Sequence, residues 1–288
     1  RLMCREYGAD LVSTPMVVVK EVGNNDKLLD RICFLDKEKP ISVQLVGSDS
    51  REFKEAVYFF EEKADVFDIN MGCPEKDILA LKGGSFFVKH PEQMKKVIKP
   101  VLDFTNKPVT VKIRTGWDEH NTEEIIKILQ DFDLSGIAIH ARTKKQKYTG
   151  KASWEEIKKA KEVSDIPIIG NGDIFKAKDA EAMIEKTKCD AVMLGRGSIG
   201  NPFLFRQVSE LLESGVLVSD QSDEEKKEML KKFLEYYKKY ENNRSFTEIR
   251  QQSMWFVKGI KGAKALKAKL MRTQRVEEIK KIISCTSK

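Results

Sequence analysis

The sequence has few cysteines and histidines and no long apolar run. Its five cysteines form no Cys-x-x-Cys pair, its three histidines have no metal-ligand spacing, and the cysteines lie at Cys4, Cys33, Cys73, Cys189 and Cys285. These absences argue against a disulfide framework, a zinc site, an iron–sulfur cluster and any other metal centre, and they favour a reducing compartment. No stretch approaches the roughly 20 apolar residues of a membrane span, and no secretory signal opens the chain. We therefore expect a cytoplasmic protein with no membrane contact and no metal ion.

The charge of the chain is concentrated at one end. Residues 223–288 contain 18 Lys and Arg against 9 Asp and Glu, although the whole chain of 288 residues carries only +7. Within Met254–Arg275 there are seven basic residues and no acidic one. A run of one sign is typical of a surface that binds a polyanion; an ordinary solvated helix is the alternative.

Short apolar strands alternate with amphipathic helical segments over the first 205 residues. This alternation predicts βα repeats and a parallel sheet. The strands are predicted at Asp10–Val17, Ile41–Val46, Val66–Met71, Val109–Arg114, Gly136–His140, Ile166–Gly170 and Ala191–Leu194. Since a (β/α)₈ TIM barrel needs eight strands and the chain opens inside a predicted helix, we expect the first strand to lie upstream. An open doubly wound sheet is the alternative, but no strand is followed by a Gly-x-Gly-x-x-Gly dinucleotide turn.

Helices are predicted between the strands and throughout the last quarter of the chain. Those between strands are Ser50–Lys63, Pro91–Thr105, Thr122–Phe132, Trp154–Val163, Ala177–Lys186 and a short one near Pro202–Val208. The last four are Asp223–Glu241, Ser245–Gly259, Gly262–Arg272 and Arg275–Ser284. We interpret residues 1–212 as a barrel domain and residues 223–288 as a small all-α helical bundle. A basic stripe (Lys258, Lys261, Lys264 and Lys267) would follow one helical face unless Gly259 and Gly262 interrupt it.

Cys73 directly follows the predicted strand Val66–Met71. Gly72 and Pro74 end that strand, so the thiol lies at a strand's carboxyl end, where parallel α/β folds place their chemistry. A free cysteine is more often a small buried apolar residue. A thiol with an unshifted pKa of about 8.5 is mostly protonated at neutral pH and can donate a proton.

Five strands carry a polar residue on the face that would fill the barrel, near the carboxyl end. These residues are Gln44, Asn70, Lys112, His140 and Asn171. Each is a buried polar group that needs a partner, and a shared ligand would serve all five; a polar plug satisfied within the protein is the alternative. For Lys112 the alternative partner is Asp68, on the neighbouring inner face.

Glycine-rich turns follow the last two predicted strands, at Gly170-Asn-Gly-Asp173 and Gly195-Arg-Gly197. Glycine lets backbone N–H groups approach an anion, and Arg196 adds a bidentate donor. Phosphate sites recur at these two positions of (β/α) barrels. A phosphate site opposite Lys112 and His140 suits FMN, because a lysine can stabilise the N1/O2 edge of the reduced ring. Cys73 would then face the substrate.

These residues resemble those of the tRNA-dihydrouridine synthases. The resemblance covers nearly the whole chain and rests on Asn70–Pro74 with Lys76, Lys112–Arg114, the string Ile139–Trp154, the two glycine turns, Arg250 and Trp255–Gly259. It implies a TIM barrel that binds FMN, followed by a helical tRNA-binding domain. In such an enzyme NADPH, or NADH in its place, reduces the flavin, which passes a hydride to C6 of a uracil while a cysteine protonates C5.

The resemblance carries roles to individual residues. It makes Cys73 the general acid and implies a first strand before Arg1 with an Ala-Pro-Met-like flavin contact. It implies cofactor contacts at Gln44, Lys112, His140, Asn171, Gly172, Asp173, Gly195 and Arg196. It implies substrate contacts at Asn70, which would hold the target base, and at Lys76, Arg114, Arg142, Gln146, Tyr148, Arg250 and Lys258. We expect the protein to be a monomer.

Two rival functions stay open at the level of the sequence. One is a flavin-dependent barrel dehydrogenase acting on a free pyrimidine or another small molecule, for which a basic helical domain has no use. The other is an RNA-binding protein on a degenerate barrel, which would bind no flavin. Extruding a uracil from folded RNA costs a few kcal/mol, and phosphate contacts of a basic surface can offset that cost. The basic domain therefore favours a reductase acting on tRNA.

Overall fold

The computed structural model of the protein describes residues 1–23, 26–240 and 245–285. Short parallel strands form one curled sheet that is covered by helices, as in a (β/α) barrel. The strands are β1 (Val12–Ser13), β2 (Val17–Val18), β3 (Ile41–Val46), β4 (Val66–Met71), β5 (Val109–Arg114), β6 (Gly136–His140), β7 (Ile168–Asn171) and β8 (Ala191–Met193). Since β1 and β2 both pair with β3, the sheet has seven strand positions in chain order. Among the residues described, β8 forms no pair with β1 or β2.

Prolines account for the two places where the predicted strands differ from those observed. The predicted strand Asp10–Val17 is divided into β1 and β2 because Pro15 lies between them and has no N–H to donate. Pro167 delays the start of the predicted strand Ile166–Gly170, since β7 begins one residue after this proline. The other five strands lie within a residue of their predicted bounds.

The helices of the barrel part are α1 (Leu2–Glu6), α2 (Asp26–Ile32), α3 (Ser50–Phe60), α4 (Lys76–Ala80), α5 (Phe86–Lys89), α6 (Lys95–Phe104), α7 (Thr122–Leu129), α8 (Trp154–Val163), α9 (Ala177–Thr187) and α10 (Phe203–Ser214). Asp49 caps α3, its carboxylate accepting the N–H groups of Arg51 and Glu52. The predicted helix Pro91–Thr105 instead begins with a 3₁₀ turn, Pro91–Gln93. We did not predict α2, α4 or α5, which are too short to show a clear apolar period.

The remaining helices are α11 (Asp223–Tyr240), α12 (Phe246–Phe256), α13 (Ala263–Leu270) and α14 (Val276–Cys285). They enclose an apolar core of their own, separate from the core between the sheet and its helices. Met3 of α1 joins this second core and Phe203 of α10 packs against it, so the bundle rests on the barrel through apolar contacts. No helix within the described ranges has the length and apolarity that crossing a bilayer requires.

The predicted basic stripe along one helical face is wrong. Gly259 and Gly262 have φ angles of 83° and 75°, a left-handed backbone that stops a helix. As a result Lys258 lies in the connection between α12 and α13, whereas Lys264 lies on α13. The basic residues of Met254–Arg275 are nonetheless exposed, except for the half-buried Lys267, so the surface is basic without being a single stripe.

Candidate active site

Polar side chains of β3, β4 and β5 form a closed hydrogen-bond network on the inner face of the sheet. Asp68 accepts hydrogen bonds from Gln44 Nε2 at 2.6 Å and from Thr110 Oγ1 at 2.7 Å. Gln44 Oε1 in turn accepts one from Asn70 Nδ2 at 2.8 Å. Gln44 and Asn70 therefore have the protein partners that the polar-plug alternative requires, and their polarity alone does not demand a ligand.

Asn70 and Arg114 fix the turn that carries Cys73. The Asn70 side-chain oxygen accepts the N–H groups of Gly72 at 3.0 Å and of Cys73 at 2.8 Å. The buried Arg114 donates from Nε to the Gly72 carbonyl at 2.8 Å, and from Nη1 to two carbonyls of the loop after β6, both at 3.0 Å. Arg114 thus links the Cys73 turn, after β4, to the loop after β6.

The Cys73 thiol is half-buried and suited to remain protonated at neutral pH. Burial raises its pKa above the ordinary value, and the nearby cations Lys112 and Arg114 offset only part of that rise. Gly84, with φ of 59°, packs on the backbone of this turn, where a Cβ would lie 2.6 Å from the Cys73 carbonyl oxygen. The raised pKa favours the protonated thiol over a nucleophilic thiolate at neutral pH.

A cavity of about 210 Å³ opens at the carboxyl ends of β5 to β8. Tyr148 stands on its rim, 57% exposed, with its ring centroid 6.1 Å from that of His140. The lining includes seven of the eight residues predicted to contact the cofactor, all but Gln44: Lys112, His140, Asn171, Gly172, Asp173, Gly195 and Arg196. The register explains this convergence, because it pairs Arg114 with His140 and His140 with Asn171 across adjacent strands.

Lys112 and His140 face this cavity without protein partners. Within residues 1–23, 26–240 and 245–285, neither side chain makes a hydrogen bond or ion pair, and the pair between Lys112 and Asp68 is absent. Burial lowers the pKa of Lys112 to about 8, against the opposing charge of Asp68. Burial and then the neighbouring cations, Lys112 foremost, lower the pKa of His140 to about 2, so its ring is neutral. Both side chains are therefore available to a ligand in the cavity.

Asp173, which lines the cavity, accepts hydrogen bonds from two arginines. Its Oδ2 accepts from Arg142 Nη2 at 2.7 Å and from the Ala152 N–H at 2.8 Å, and its Oδ1 accepts from Arg196 Nη2 at 3.1 Å. Burial raises the pKa of Asp173, but these bonds outweigh burial and leave it lowered. Arg142 is only 2% exposed and braces its loop, whereas the Arg196 side chain is 41% exposed and lines the cavity.

The turn after β8 has the features of an anion site. A Cβ at Gly195 would meet nothing closer than Asn171 Nδ2 at 3.7 Å, so the backbone there is open to the cavity. Arg196–Ser198 form a 3₁₀ turn, whose first N–H groups lack partners inside the turn. These donors and the Arg196 guanidinium fit the phosphate of FMN. The cavity is smaller than the roughly 300–1,000 Å³ of most small-molecule sites.

The structure does not bring every predicted substrate residue to this cavity. Gln146 accepts the Thr143 N–H at 2.8 Å and closes its own loop. Lys76 is exposed at the start of α4. Arg250 donates to the Thr273 carbonyl at 3.2 Å inside the helical bundle, and Lys258 lines a different cleft. No group of three or more His, Cys, Asp and Glu in the described part of the chain is arranged to bind a metal ion.

Four residues of the site had no role in the sequence analysis: Trp154, Ile174, Phe175 and Met193. Trp154 donates from Nε1 to the Gly172 carbonyl at 3.0 Å and so fixes the first glycine turn; it ends the family string, but we gave it no role. Phe175 and Met193 line the cavity, and an apolar residue beside a turn gives no signal in a single sequence. The alternation of side chains along β4, by contrast, placed Asp68 on the inner face, but we expected it to pair with Lys112 and not with Gln44 and Thr110.

The chain matches one family model over nearly its whole length. The model, described as dihydrouridine synthase (Dus), covers residues 1–287. A probable tRNA-dihydrouridine synthase of Aquifex aeolicus is 36% identical over 265 residues, which are 90% of this chain and 83% of that protein. The tRNA-dihydrouridine synthase B of Pasteurella multocida is 35% identical, over 90% of this chain and 80% of that protein. The protein of that name in Escherichia coli is 36% identical, over 76% and 69%.

Two solved structures share the fold of the barrel part. Histamine dehydrogenase from Rhizobium sp. 4-9 aligns with a TM-score of 0.57 at 13% identity, over 73% of this chain and 42% of that one. A variant of NCR from Zymomonas mobilis aligns with a TM-score of 0.53 at 17% identity, over 76% of this chain and 81% of that one. Likeness at such low identity shows the fold alone.

Proposed function

Since the chain belongs to the dihydrouridine synthase family, we propose that it reduces specific uridines of tRNA to 5,6-dihydrouridine. The curated relatives carry that substrate in their names. One observation within the molecule supports the proposal most strongly. The Cys73 thiol, whose pKa is raised by burial, interacts electrostatically with Lys112. Lys112 and His140 line the cavity, and neither has a hydrogen-bond or ion-pair partner among the described residues.

The residues of the cavity fit FMN. Lys112 and His140 would face its ring system, where a cation favours the reduced form, and Gly195 with Arg196 would hold its phosphate. When bound and reduced by NADPH, FMN supplies the hydride that C6 of the uracil receives. Asp173 has an indirect role, since it holds Arg196 in place.

Cys73 supplies the proton for C5 of the same uracil. Hydride at C6 and proton at C5 together saturate the C5=C6 bond, and the thiolate left behind regains a proton from water. Asn70 positions the turn of Cys73 through two backbone N–H groups, and its remaining amide N–H is left for the target base. Arg114 holds the turn from the other side.

The helical bundle is proposed to bind tRNA through its exposed basic residues. Six exposed cations lie within residues 254–275: Lys258, Lys261, Lys264, Lys269, Arg272 and Arg275. Such surfaces bind phosphate groups in a salt-dependent manner. Arg250 is half-buried, so it supports the bundle and contacts RNA less than the exposed lysines do. A tRNA substrate agrees with the cytoplasmic location predicted from the sequence.

The test compares tRNA with free pyrimidines. Purified protein given FMN, NADPH and an unmodified tRNA transcript is expected to add two hydrogen atoms to at least one uridine, detected by mass spectrometry of nuclease fragments. Uridine and UMP at the same concentration are expected to stay unreduced, because they cannot use the basic bundle. Reduction of free pyrimidines without reduction of tRNA would favour the small-molecule rival, and failure to bind flavin would favour the RNA-binding rival.

A further inference from the structure

A second cleft, of about 570 Å³, lies between the loops of the barrel and the helical bundle. It is continuous with the cofactor cavity, because Phe175, Arg196 and Gly197 line both. The proposed reaction at Cys73 makes no use of this space.

The cleft is strongly cationic. Five basic side chains line it against a single carboxylate, Asp220: Lys176, Lys178, Arg196, Lys226 and Lys258. In the portion of the chain described, none of the four lysine side chains has a hydrogen-bond or ion-pair partner. Asp220 accepts a hydrogen bond from Gln207 Nε2 at 3.1 Å. Cations left without partners in one concave surface attract phosphate groups.

Exposed apolar side chains collect in the same cleft. Trp255 is 45% and Phe175 44% exposed, and Ile199 and Leu217 also line the cleft as exposed residues. Contiguous exposed apolar surface marks a binding site more often than chance. Aromatic rings among lysines are the combination that binds single-stranded nucleic acid, because bases stack on the rings while phosphates meet the cations.

Gly200 sets the width of the cleft beside Trp255. Its φ of 68° is left-handed, and a Cβ there would lie 2.4 Å from the backbone carbon of Trp255. The barrel loop therefore touches the backbone at the end of α12 directly, and no larger residue fits between them. Trp255 of the bundle and the lysines of the barrel loops therefore line the same cleft.

We propose that this cleft binds a nucleotide that flanks the target uridine in tRNA, with its base on Trp255 and its phosphate among Lys176 and Lys258. The inference rests on the proposed function and extends it, because Arg196 borders both cavities and marks where the RNA strand passes from one to the other. A base held here keeps the neighbouring uridine out of its stack.

The first experiment measures the dissociation constant of an unmodified tRNA transcript from the FMN-loaded protein. Trp255→Ala is expected to weaken binding by about tenfold, in line with the loss of one stacked base. Trp255→Phe keeps a stacking ring and is expected to retain most of the affinity. Tyr58→Ala is the matched control, because Tyr58 is an aromatic residue 86% exposed on α3, away from the cleft; its affinity is expected to equal that of the wild type.

The second experiment measures how binding depends on salt. A protein with both Lys176→Ala and Lys258→Ala is expected to show a slope of log Kd against log salt that is smaller by about 0.7, since the two lysines share one phosphate and each phosphate contact on a single strand contributes about 0.7. Lys127→Ala, on the exposed face of α7, is the control and is expected to keep the wild-type slope.

The outcomes separate this inference from the proposed function. Wild-type affinity in Trp255→Ala, or a wild-type salt slope in the lysine double variant, would overturn the inference and leave the proposed function standing. Wild-type protein that binds no tRNA would overturn the proposed function. Weakened binding of NADP⁺ with unchanged binding of tRNA would assign the cleft to the dinucleotide and overturn the inference. If circular dichroism shows that Trp255→Ala is unfolded, the salt slope of the exposed lysines decides.

Discussion

The two halves of the inner face of the sheet differ in whether their polar side chains have hydrogen-bond partners within the protein. On β3 and β4, Gln44, Asp68 and Asn70 bond one another, and the network holds the turn of Cys73. At the ends of β5 and β6, Lys112 and His140 have no partner among the described residues and face a cavity. The comparison teaches that burial of polar groups alone does not mark a binding site. The first half is a scaffold, whereas the second half presents two polar side chains to the cavity.

The largest expected effect is that of replacing Cys73, the thiol that follows β4 in the scaffold half. Cys73→Ala is expected to reduce uridine reduction in tRNA by at least about 100-fold, because a positioned proton donor contributes about 10²–10⁴-fold. FMN binding is expected to be unchanged, since Cys73 does not line the cavity. Single-turnover formation of dihydrouridine and the absorbance of bound flavin measure the two quantities.

Cys4→Ala serves as the control for this variant, because Cys4 is a half-buried free cysteine away from the cavity. It is expected to keep both properties. Full reductase activity in Cys73→Ala would remove the proton-donor role.

The next largest effect is a difference in the free energy of unfolding between a variant of the first half and a variant of the second half. Asp68→Ala leaves the donors of Gln44 and Thr110 without an acceptor and is expected to lower the free energy of unfolding of the apoprotein by about 3 kcal/mol. Lys112→Met removes a half-buried cation that has no hydrogen-bond or ion-pair partner among the described residues, so the apoprotein is expected to be at least as stable as wild type. Urea unfolding of the flavin-free proteins at pH 7 measures both. Equal losses in the two variants would erase the distinction between scaffold and site.

A pH titration tests the distinction between scaffold and site through the charge of Lys112. With its pKa lowered to about 8, the amine loses its charge above that pH, so FMN affinity is expected to fall by about tenfold between pH 7 and pH 9. The effect on apoprotein stability has the opposite sign. The unfolded chain holds this proton up to about pH 10.4, so the contribution of Lys112 to stability rises with pH between the two pKa values. Lys112→Met is expected to lack both trends, measured by flavin fluorescence and urea unfolding.

The smallest expected effect is at the partly exposed end of the cavity. Arg196→Ala is expected to weaken FMN binding by about threefold to fivefold, because an exposed ion pair is worth less than about 1 kcal/mol. Riboflavin, which lacks the phosphate, is expected to bind wild type and variant alike. An equal loss for both ligands would mean that Arg196 contacts some other part of the flavin.

Much of the fold and part of the site could be predicted from the sequence, for physical reasons that differ by residue. Strand periodicity placed Asp68 and Asn70 on the inner face, and glycine turns after the last two strands identified the cavity end at Gly195. These signals are local, so one sequence suffices to find them. The split of the first strand was missed because we gave Pro15 too little weight as a break in pairing.

Partner choice could not be predicted, because it depends on distances across the sheet. Asp68 was expected as an alternative partner of Lys112, but it bonds Gln44 and Thr110 instead. Arg114 was expected to meet substrate, and its Nε and Nη1 reach three backbone carbonyls. The cationic cleft at Trp255 joins residues some 80 positions apart in the chain, a proximity that charge counting along the chain does not show.

Titration of the apoprotein with FMN tests the central claim most directly, that Lys112 and His140 are left without protein partners because a flavin completes them. Wild-type protein is expected to quench flavin fluorescence, with saturation at one FMN per chain. Lys112→Met is expected to bind FMN at least about tenfold more weakly. Wild-type affinity in Lys112→Met, or no saturable binding by the wild type, would contradict the account.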